Sequence, residues 1–499
     1  MILKLKGGKI KGKCLPDDIL RFAGIPYAKP PVGELRWKAP QEPLPWEGEL
    51  DCTEFTRCAY QMNADEWGGS DIPNPYGPEW NIREKEIRSE DCLYLNVWTS
   101  RQALEEKKKL PVLCIIHGGG FESGSGGVRT LDGEQMAKHG IVVVTINYRM
   151  GVFGYLAHPE LTEESSLHTS GNYGLLDQIQ ALKWIQKNIE VFGGDASQVT
   201  VSGESAGSIS VNGLYESPFA KGLFARAAME SGTHMGPDTY CPQVSLRDAE
   251  SQGTAFVSGK ANSIEELRKM TTEEVFAGSW GFFPFKDGVV WPEHVFEEGK
   301  QNDVPLLLGS NSDEGSIFTY LFGTDDIKLR FVEQANARYG EDAEPFLNKF
   351  PVTDATQAMI SMSHAYGEKL FGYSIYRIAS LQNKYGESNV YYYYFDRVLP
   401  MTKEYGAYHS SELPYFYRTM DESDGKWEKR DFLLRDQMSA YMLQFVKTGN
   451  PNVDSMPAWR TFEDDPKQVM ELGDHIGMIT HPASDMYEIY DHHLGERVL

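Results

Sequence analysis

Short runs of Val, Ile and Leu recur along the chain, and they constrain its fold more than any other feature. Pro111–Ile116, Ile141–Ile146 and Gln198–Ser202 have the length and composition of buried strands in a mostly parallel sheet. Tyr173–Val191 and Ala206–Tyr215 instead place their apolar residues at helical spacing. Strands that alternate with helices predict an α/β fold, with a large, mostly parallel central sheet and helices on both faces.

The rest of the pattern indicates one large domain rather than several. Further strands are predicted at Leu93–Trp98, Ala225–Glu230, Val304–Gly309 and Asn389–Phe395. The chain has no obvious repeat and no low-complexity linker, and 41% of its residues are apolar, enough for a sizeable core. We predict a single domain over residues 1–499, with insertions around 240–300 and 320–385.

Charge and composition restrict the partners and the compartment. The 48 Lys and Arg residues against 72 Asp and Glu residues give a net charge of −24, which repels phosphate backbones and anionic lipids. We therefore expect no nucleic-acid partner and no membrane association. The N-terminal sequence MILKLKGGKIKGK lacks the apolar core of a signal peptide, and six cysteines are too few for a disulfide scaffold. These features predict a cytoplasmic protein with mostly reduced thiols; they leave the oligomeric state open.

The segment Gly203–Gly207 reads GESAG and lies between a predicted strand and a predicted helix. This is the G-x-S-x-G nucleophile elbow in the context that it requires. Small residues on either side of Ser205 allow a sharp turn, which lifts the hydroxyl above the sheet and directs the Ala206 N–H toward a developing oxyanion. The alternative is a glycine-rich turn without chemistry. The flanking elements and an upstream HGGG sequence favour a catalytic Ser205.

That upstream sequence is His117–Phe121, which follows the strand Pro111–Ile116. Adjacent glycines let the backbone approach a ligand and point N–H groups toward it. In nucleophile-elbow enzymes such a loop completes the oxyanion hole. A flexible turn is the competing interpretation, because Gly-Ser-Gly-Gly follows at 124–127. The place of the loop directly after a strand favours the oxyanion hole.

A serine nucleophile needs a general base, and the base needs a carboxylate to orient it. The chain order in this fold is serine, acid, histidine. The acid is expected after the strand Val304–Gly309, where position alone does not choose between Asp313 and Glu314. His409 is the best-placed base, because it follows the strand Asn389–Phe395.

Other polar residues give no second chemistry. His475 and His481 lie among Gly, Asp and Pro, which predicts a surface loop. The sequence has no HExxH, no CxxC pair and no dinucleotide-binding GxGxxG, so we expect neither a metal ion nor a cofactor.

Taken together, several local motifs resemble the type-B carboxylesterase family, which includes para-nitrobenzyl esterases, animal carboxylesterases and cholinesterases. The resemblance spans nearly the whole chain and implies the α/β-hydrolase fold, with helical insertions that form a substrate gorge. The segments that carry it are Phe22–Ala28, Glu90–Trp98, His117–Phe121, Asn147–Arg149, Gly151–Gly154, Asn172–Asp177, Gly193–Asp195, Gly203–Gly207, Asp313–Gly315, His409 and Lys447–Pro451.

The resemblance also implies roles for individual residues. The family takes its acid from the Glu of the DEG motif, which favours Glu314 over Asp313, and its base corresponds to His409. The implied oxyanion-hole donors are Gly119, Gly120 and Ala206. Glu204 and Ser231 fall where the family has a carboxylate and a hydroxyl near the triad.

The family further implies two fold-supporting ion pairs, Arg36 with Glu90 and Arg149 with Asp177, which we expect to be at least partly buried. Secreted relatives close the loop between positions equivalent to Cys58 and Cys92 with a disulfide. The expected compartment favours free thiols at these two positions.

The predicted function is that of a serine carboxylesterase without a cofactor, which hydrolyses short or medium acyl esters or aryl esters through an acyl-enzyme. Its expected partner is a small-molecule ester. A thioesterase or amidase with the same triad, or an adhesion-type binding relative without activity, is the alternative. The residues predicted to line the substrate pocket are Trp80, Phe282, Phe283 and Phe318.

Overall fold

The structure, a computed structural model, describes residues 1–62, 81–236, 240–241, 243–420 and 426–494. The described residues form two compact units. The first unit contains residues 1–62, 81–228, 241 and 243–304, and the second contains 229–236, 240, 305–420 and 426–494. No helix in these ranges is both long enough and apolar enough to cross a membrane.

Most of the strands belong to the first unit. The last of them, β12, begins in the first unit and ends in the second. These strands are β1 (Ile2–Lys4), β2 (Lys9–Lys11), β3 (Lys13–Cys14), β4 (Ile19–Pro26), β5 (Glu49–Asp51), β6 (Arg57–Ala59), β7 (Ile87–Ser89), β8 (Tyr94–Ser100), β9 (Leu110–Ile116), β10 (Val142–Ile146), β11 (Gly194–Glu204) and β12 (Arg226–Glu230). The helices of this unit are α1 (Arg101–Glu105), α2 (Glu134–Ala137), α3 (Gly151–Tyr155), α4 (Pro159–Glu164), α5 (Tyr173–Asn188), α6 (Ala206–Glu216), α7 (Leu246–Ser258), α8 (Ile264–Arg268) and α9 (Thr272–Phe276).

The main sheet of the first unit has the strand order β3-β4-β8-β10-β9-β11. Strands β10, β9 and β11 are parallel, whereas β8 pairs antiparallel with both β10 and β4. Every residue of β10 is buried, as expected for a Val- and Ile-rich strand covered on both faces. Two small sheets, β1-β2-β5 and β6-β7, lie in the same unit.

The second unit is built from four strands and seven helices within the described residues. They are β13 (Leu306–Asn311), β14 (Val390–Phe395), β15 (Gln468–Leu472), β16 (Ile476–Thr480), α10 (Ile327–Tyr339), α11 (Ala343–Lys349), α12 (Ala355–Gly367), α13 (Tyr373–Tyr385), α14 (Leu413–Phe416), α15 (Lys429–Thr448) and α16 (Ser484–Leu494). Strands β13, β14 and β15 are parallel, and β16 is antiparallel to β15. Phe331, Phe346 and Tyr487 belong to an apolar core that α10, α11, α12, α13 and α16 share.

The α/β class and the seven predicted strands are confirmed, with shifts of at most four residues at their ends. The helix expected over Tyr173–Val191 is α5, followed by a 3₁₀ turn to Phe192. Gly193 ends that turn with a φ of 76°, a conformation that glycine adopts without strain.

The expectation that His481 lies in a surface loop is wrong. The segment around it contains β15 and β16, and His481 is 2% exposed. Its ring stacks on Tyr392 with the centroids 5.5 Å apart, and burial lowers its pKa to about 3. The polar residues of 468–480 concealed the two strands, because only part of each strand is buried. His475, in contrast, is exposed.

Both ion pairs implied by the family resemblance are present and buried, which confirms the expectation. Arg36 contacts Glu90 through two bonds of 2.6 and 2.7 Å, and Arg149 contacts Asp177 through two bonds of 2.7 Å. The exposed fractions of these four side chains do not exceed 6%.

None of the six cysteines of the chain forms a disulfide bond, and this includes Cys58 and Cys92. Cys14 is exposed, and the other five are buried. Burial raises the pKa of the Cys58 thiol to about 12 and that of the Cys92 thiol well above its ordinary value.

Candidate active site

Ser205 occupies the sharp turn between β11, which ends at Glu204, and α6, which begins at Ala206. Its φ of 57° and ψ of −123° lie outside the regions that non-glycine residues favour. The turn also leaves no space for side chains beside it. A Cβ on Gly207 would lie 2.1 Å from the Ile116 carbonyl oxygen, and one on Gly203 would lie 2.4 Å from that of Gly207. The local backbone therefore has the strained geometry of a nucleophile elbow.

The HGGG loop follows β9, which is the parallel neighbour of β11, so both segments leave the same edge of the sheet. A Cβ on Gly118 would lie 2.8 Å from the Glu204 carbonyl oxygen and 3.2 Å from the Ser205 Cβ. The loop thus packs directly on the elbow. Gly119 and Gly120 have φ values of 102° and 63°, which only glycine adopts readily.

Two features of this region suit it to binding an anion. Ala206 is the first residue of α6, so its N–H has no acceptor within the helix and lies at the positive end of the helix dipole. The glycine loop beside it exposes backbone rather than side chains.

His117 and Tyr148 hold the glycine loop from behind. The two rings stack with a centroid separation of 4.6 Å, and the Tyr148 hydroxyl donates to the His117 carbonyl at 3.0 Å. Burial lowers the pKa of His117 to about 4, so the imidazole is neutral near pH 7. Its Nδ1 lies 2.8 Å from the Gly118 carbonyl oxygen and therefore carries the proton of that bond. Glu204 is buried, with a carboxylate oxygen 2.9 Å from the Cβ position at Gly118.

In the second unit, the structure brings Glu314 and His409 together. Glu314 follows β13, and His409 lies in the loop after β14. The His409 Nδ1 is 2.5 Å from the Glu314 Oε2, and both side chains are at most 4% exposed. The other carboxylate oxygen accepts bonds from the Ser231 hydroxyl at 2.6 Å and from the Asn311 N–H at 2.7 Å. Because the carboxylate holds Nδ1–H, the ring is oriented with Nε2 as its proton acceptor.

The carboxylate of Asp313, the other candidate acid, bonds to residues other than His409. Its carboxylate contacts the His364 Nε2 at 3.1 Å and accepts the Ala407 N–H at 2.9 Å. The bond with Asp313 raises the pKa of His364 above its ordinary value, although burial opposes the shift. Asp313 therefore fixes the backbone two residues before His409, whereas Glu314 contacts its ring.

Two phenylalanines lie beside the His409 imidazole. Phe371 is closest, with the ring centroids 4.3 Å apart, and Phe318 follows at 5.7 Å. Phe318 is one of the predicted pocket residues. Sequence reasoning missed Phe371, which lies in a π-helical turn over Glu368–Gly372 between α12 and α13.

The other predicted pocket residues have different positions. Phe282 is 4% exposed and packs edge-on against Phe256 at 5.2 Å, and Phe283 is half-buried. Trp80 lies outside the described residues.

Two further buried carboxylates near Glu314 were not found from the sequence. Glu412 accepts a bond of 2.5 Å from the Asn311 Nδ2, and Glu230 accepts one of 2.8 Å from the Tyr417 hydroxyl. Burial raises the pKa of Glu412 well above its ordinary value, and the charges of Glu314 and Glu230 add to the effect.

Within the part of the chain that the structure describes, one group brings three metal-ligand atoms within 4.8 Å of one another. It consists of Asp342, His492 and His493 and lies at the C-terminal helix α16, not at any predicted catalytic residue.

Comparison with known proteins identifies the family. A sequence profile described as the carboxylesterase family matches residues 1–489. The chain belongs to the carboxylesterase family. This membership confirms the resemblance, the α/β-hydrolase class and the assignment of the protein as a serine hydrolase of esters.

Three relatives illustrate the breadth of the carboxylesterase family around this chain. It is 33% identical to the para-nitrobenzyl esterase of Bacillus subtilis (strain 168), over 97% of both proteins. It is 32% identical to the fumonisin B1 esterase of Sphingopyxis macrogoltabida, over 96% of the chain and 87% of the relative. It is 30% identical to the acetylcholinesterase of Bungarus fasciatus, over 93% of the chain and 81% of the relative.

Proposed function

We propose that this protein is a serine carboxylesterase in which Ser205 is the nucleophile, His409 the general base and Glu314 the orienting acid. The bond between the His409 Nδ1 and the Glu314 carboxylate is the observation that carries the proposal. It gives a neutral imidazole the tautomer that accepts a proton at Nε2. The elbow conformation of Ser205 and the chain order serine, acid, histidine support the same roles.

The reaction proceeds in two steps. The Ser205 hydroxyl attacks the ester carbonyl while His409 takes its proton and then passes that proton to the leaving alcohol. Glu314 stabilises the imidazolium that forms, and it does not itself become protonated. Water then attacks the acyl-enzyme with His409 again as base, which releases the carboxylic acid and regenerates Ser205.

The N–H groups of Gly119, Gly120 and Ala206 are the proposed donors to the tetrahedral oxyanion. The positive φ values of the two glycines and the place of Ala206 at the start of α6 support this role. Removal of one such donor typically costs about 2.7–4 kcal/mol of transition-state stabilisation. Glu204 and Ser231 are proposed to position the catalytic residues, since each is buried and Ser231 bonds Glu314.

The proposed substrates are short or medium acyl esters and aryl esters. The half-buried Phe318 and the buried Phe371 beside His409 supply an apolar wall for such groups. The names of two relatives agree with the class, para-nitrobenzyl esterase at 33% identity and phenmedipham hydrolase at 31% identity. Phe282 and Phe283 remain proposed pocket residues.

We also propose that the chain is a single domain with insertions. The family match over residues 1–489 supports this proposal.

Thioester hydrolysis is a second candidate activity. A relative named fatty acyl-CoA hydrolase, from Anas platyrhynchos, is 31% identical over 92% of the chain. An oxygen ester and a thioester of the same acyl group form the same acyl-enzyme, and only the leaving group, an alcohol or a thiol, differs. Comparison of kcat/KM for matched p-nitrophenyl and thiol esters of one acyl group separates the two activities.

The test of the mechanism is Ser205→Ala, assayed on p-nitrophenyl acetate. Loss of the nucleophile is expected to lower kcat by roughly 10⁶-fold and to abolish covalent labelling by an organophosphate. Ser208→Ala is the matched control, because Ser208 is buried in α6, the helix that follows Ser205, and its hydroxyl has no hydrogen-bond partner among the described residues. Ser205→Ala with near-normal turnover would overturn the assignment.

A further inference from the structure

Three potential metal ligands converge at the C-terminal end of helix α16, in the second unit. His492 and His493 lie in the last turn of this helix, and Asp342 lies in the short turn between α10 and α11. The His492 Nδ1 and the His493 Nε2 are 2.8 and 2.7 Å from the same atom, the Asp342 Oδ2. We refer to these three side chains as the α16 cluster.

The Asp342 carboxylate is directed toward the two imidazoles and not toward the helix that follows it. Asp342 is the residue before α11, a position where aspartate commonly accepts a backbone N–H of the first turn. Its side chain accepts no such bond. Among the described residues its ion-pair partners are the two histidines, and neither a Lys nor an Arg pairs with it. The carboxylate is therefore oriented by the two rings.

The donor atoms of the α16 cluster match the preferences of Zn²⁺. Imidazole nitrogen and carboxylate oxygen bind this ion at about 2.0–2.2 Å, which places tetrahedral donors roughly 3.3 Å apart. The two nitrogens would therefore have to move about 0.5 Å away from the carboxylate oxygen, a distance that side-chain rotation supplies. Each bound imidazole would carry its proton on the other ring nitrogen, and a water molecule would complete the tetrahedron.

The apolar core of the second unit holds the elements of the cluster in place. Tyr339, the last residue of α10, is 3% exposed, and its ring lies edge-on to the His493 ring with the centroids 5.7 Å apart. Its ring also contacts that of Tyr490, a fully buried residue of α16, at 6.1 Å. Donors on elements that already pack together lose little conformational freedom when they bind an ion.

The α16 cluster is also accessible from solvent. The side chain of His492 is 74% exposed, that of Asp342 31% and that of His493 21%. An ion can therefore reach the donors without any opening of the core. The net charge of −24 favours the accumulation of cations at the surface of this protein.

We propose that the α16 cluster binds a zinc ion, which ties helix α16 to the turn between α10 and α11. The proposal does not depend on the catalytic roles of Ser205, Glu314 and His409. It replaces the sequence-based expectation that the chain binds no metal ion. No zinc motif is visible in the sequence, because Asp342 and His492 are 150 positions apart and the two histidines are adjacent.

Calorimetric titration of the full, untagged chain with ZnCl₂ tests the proposal. We expect one Zn²⁺ to bind per chain. His492→Gln and Asp342→Asn should each weaken binding by more than about 100-fold, since even groups that only hydrogen-bond a metal ligand commonly contribute 10–100-fold. His492 is exposed, so its substitution should not unfold the protein, and circular dichroism checks this point.

His475→Gln is the matched control. His475 is also exposed and bonds a carboxylate, that of Glu471, but it has no second imidazole beside that carboxylate among the described residues. Its loss should leave the affinity for Zn²⁺ unchanged. Titration with CaCl₂ controls for charge alone, because Ca²⁺ prefers oxygen ligands and should bind far more weakly.

Hydrogen exchange tests the tie between the two elements. If α16 opens only after the ion dissociates, its amides should exchange roughly 100-fold more slowly at a free Zn²⁺ concentration 100 times the Kd. The amides of α7, in the first unit, should not change. Zn²⁺ binding without slower exchange in α16 would reject the tie.

Three results would overturn the zinc site itself. They are a natural chain that does not bind Zn²⁺, equal Zn²⁺ affinity in the natural chain and in both variants of the cluster, and equal affinity for Ca²⁺ and Zn²⁺. In the first case the α16 cluster is a hydrogen-bonded group without a metal. In the second the ion binds elsewhere, and in the third the imidazoles are not ligands.

Discussion

Two regions of this carboxylesterase are constructed by different means. The elbow region, residues 117–120 and 203–207, is shaped by backbone: glycines with no space for a Cβ, and a serine with a φ of 57°. The imidazole region, formed by Ser231, Glu314 and His409, is shaped by hydrogen bonds between side chains that are distant in sequence. The elbow region leaves no space for added side-chain atoms, whereas the imidazole region depends on particular polar groups. Substitutions should therefore fail for steric reasons in one region and for chemical reasons in the other.

After the loss expected for Ser205→Ala, the largest effect is expected from Glu314→Gln in the imidazole region. The amide has nearly the same shape but cannot stabilise an imidazolium, so kcat should fall by roughly 10⁴-fold with little change in melting temperature. Steady-state kinetics on p-nitrophenyl acetate and thermal denaturation measure the two quantities. Asp313→Asn is the matched control and should lose far less, because Asp313 contacts His364 and not His409. A greater loss of kcat for Asp313→Asn would mean that Asp313, and not Glu314, is the catalytic acid.

A smaller but still large effect is expected from Gly119→Ala in the elbow region. The new Cβ would lie 2.2 Å from the Ser123 carbonyl oxygen, so the loop must move and its N–H groups with it. We expect kcat to fall by roughly 10²–10³-fold. Gly140→Ala is the control, because Gly140 also has a positive φ, of 79°, but has open space around it. If both variants lost the same activity, the cause would be backbone strain at positive φ and not displacement of the glycine loop.

Ser231→Gly should give a moderate loss of activity. Ser231 has a φ of 60°, so glycine removes the hydroxyl without adding backbone strain. Glu314 keeps the Asn311 N–H as a donor, and kcat should fall by roughly tenfold, as expected for one hydrogen bond to a charged group. Asp326→Gly, at another non-glycine position with positive φ, controls for the flexibility of glycine and should leave kcat unchanged. Normal activity of Ser231→Gly would show that the hydroxyl does not hold the carboxylate.

The smallest effect concerns the pair of His364 and Asp313. A histidine whose folded pKa is raised stabilises the protein fully below its unfolded pKa of about 6.5, and this contribution is lost as pH rises through the folded pKa. The melting temperature of the natural chain should therefore exceed that of His364→Gln most at pH 5.5 and least at pH 8.5. The effect should be small, because the imidazole is 41% exposed. A difference that grows with pH would contradict the direction of the shift.

The elbow region could be predicted from the sequence because its signals are contiguous. A strand, the GESAG motif and a helix follow one another within a few residues, and the HGGG loop ends a neighbouring strand. In the imidazole region, Glu314 and His409 are 95 positions apart, and chain order left Asp313 and Glu314 equivalent. The family resemblance favoured Glu314, and the contact with His409 agrees with that choice.

Residues that act through tertiary packing could not be found in this way. Phe371 contacts His409 from a π-helical turn that interrupts the helical spacing between α12 and α13, so no periodic pattern indicates it. Glu412 resembles a surface acid in the sequence but is buried. His481 was misassigned because the strands around it are only partly apolar.

The cysteines give this protein a practical property. Five of the six thiols are buried, and Cys14 alone is exposed. A maleimide dye added to the folded, unaltered chain should therefore attach at one place, on β3, and a fluorescence signal from that label can report on the protein without any engineered residue.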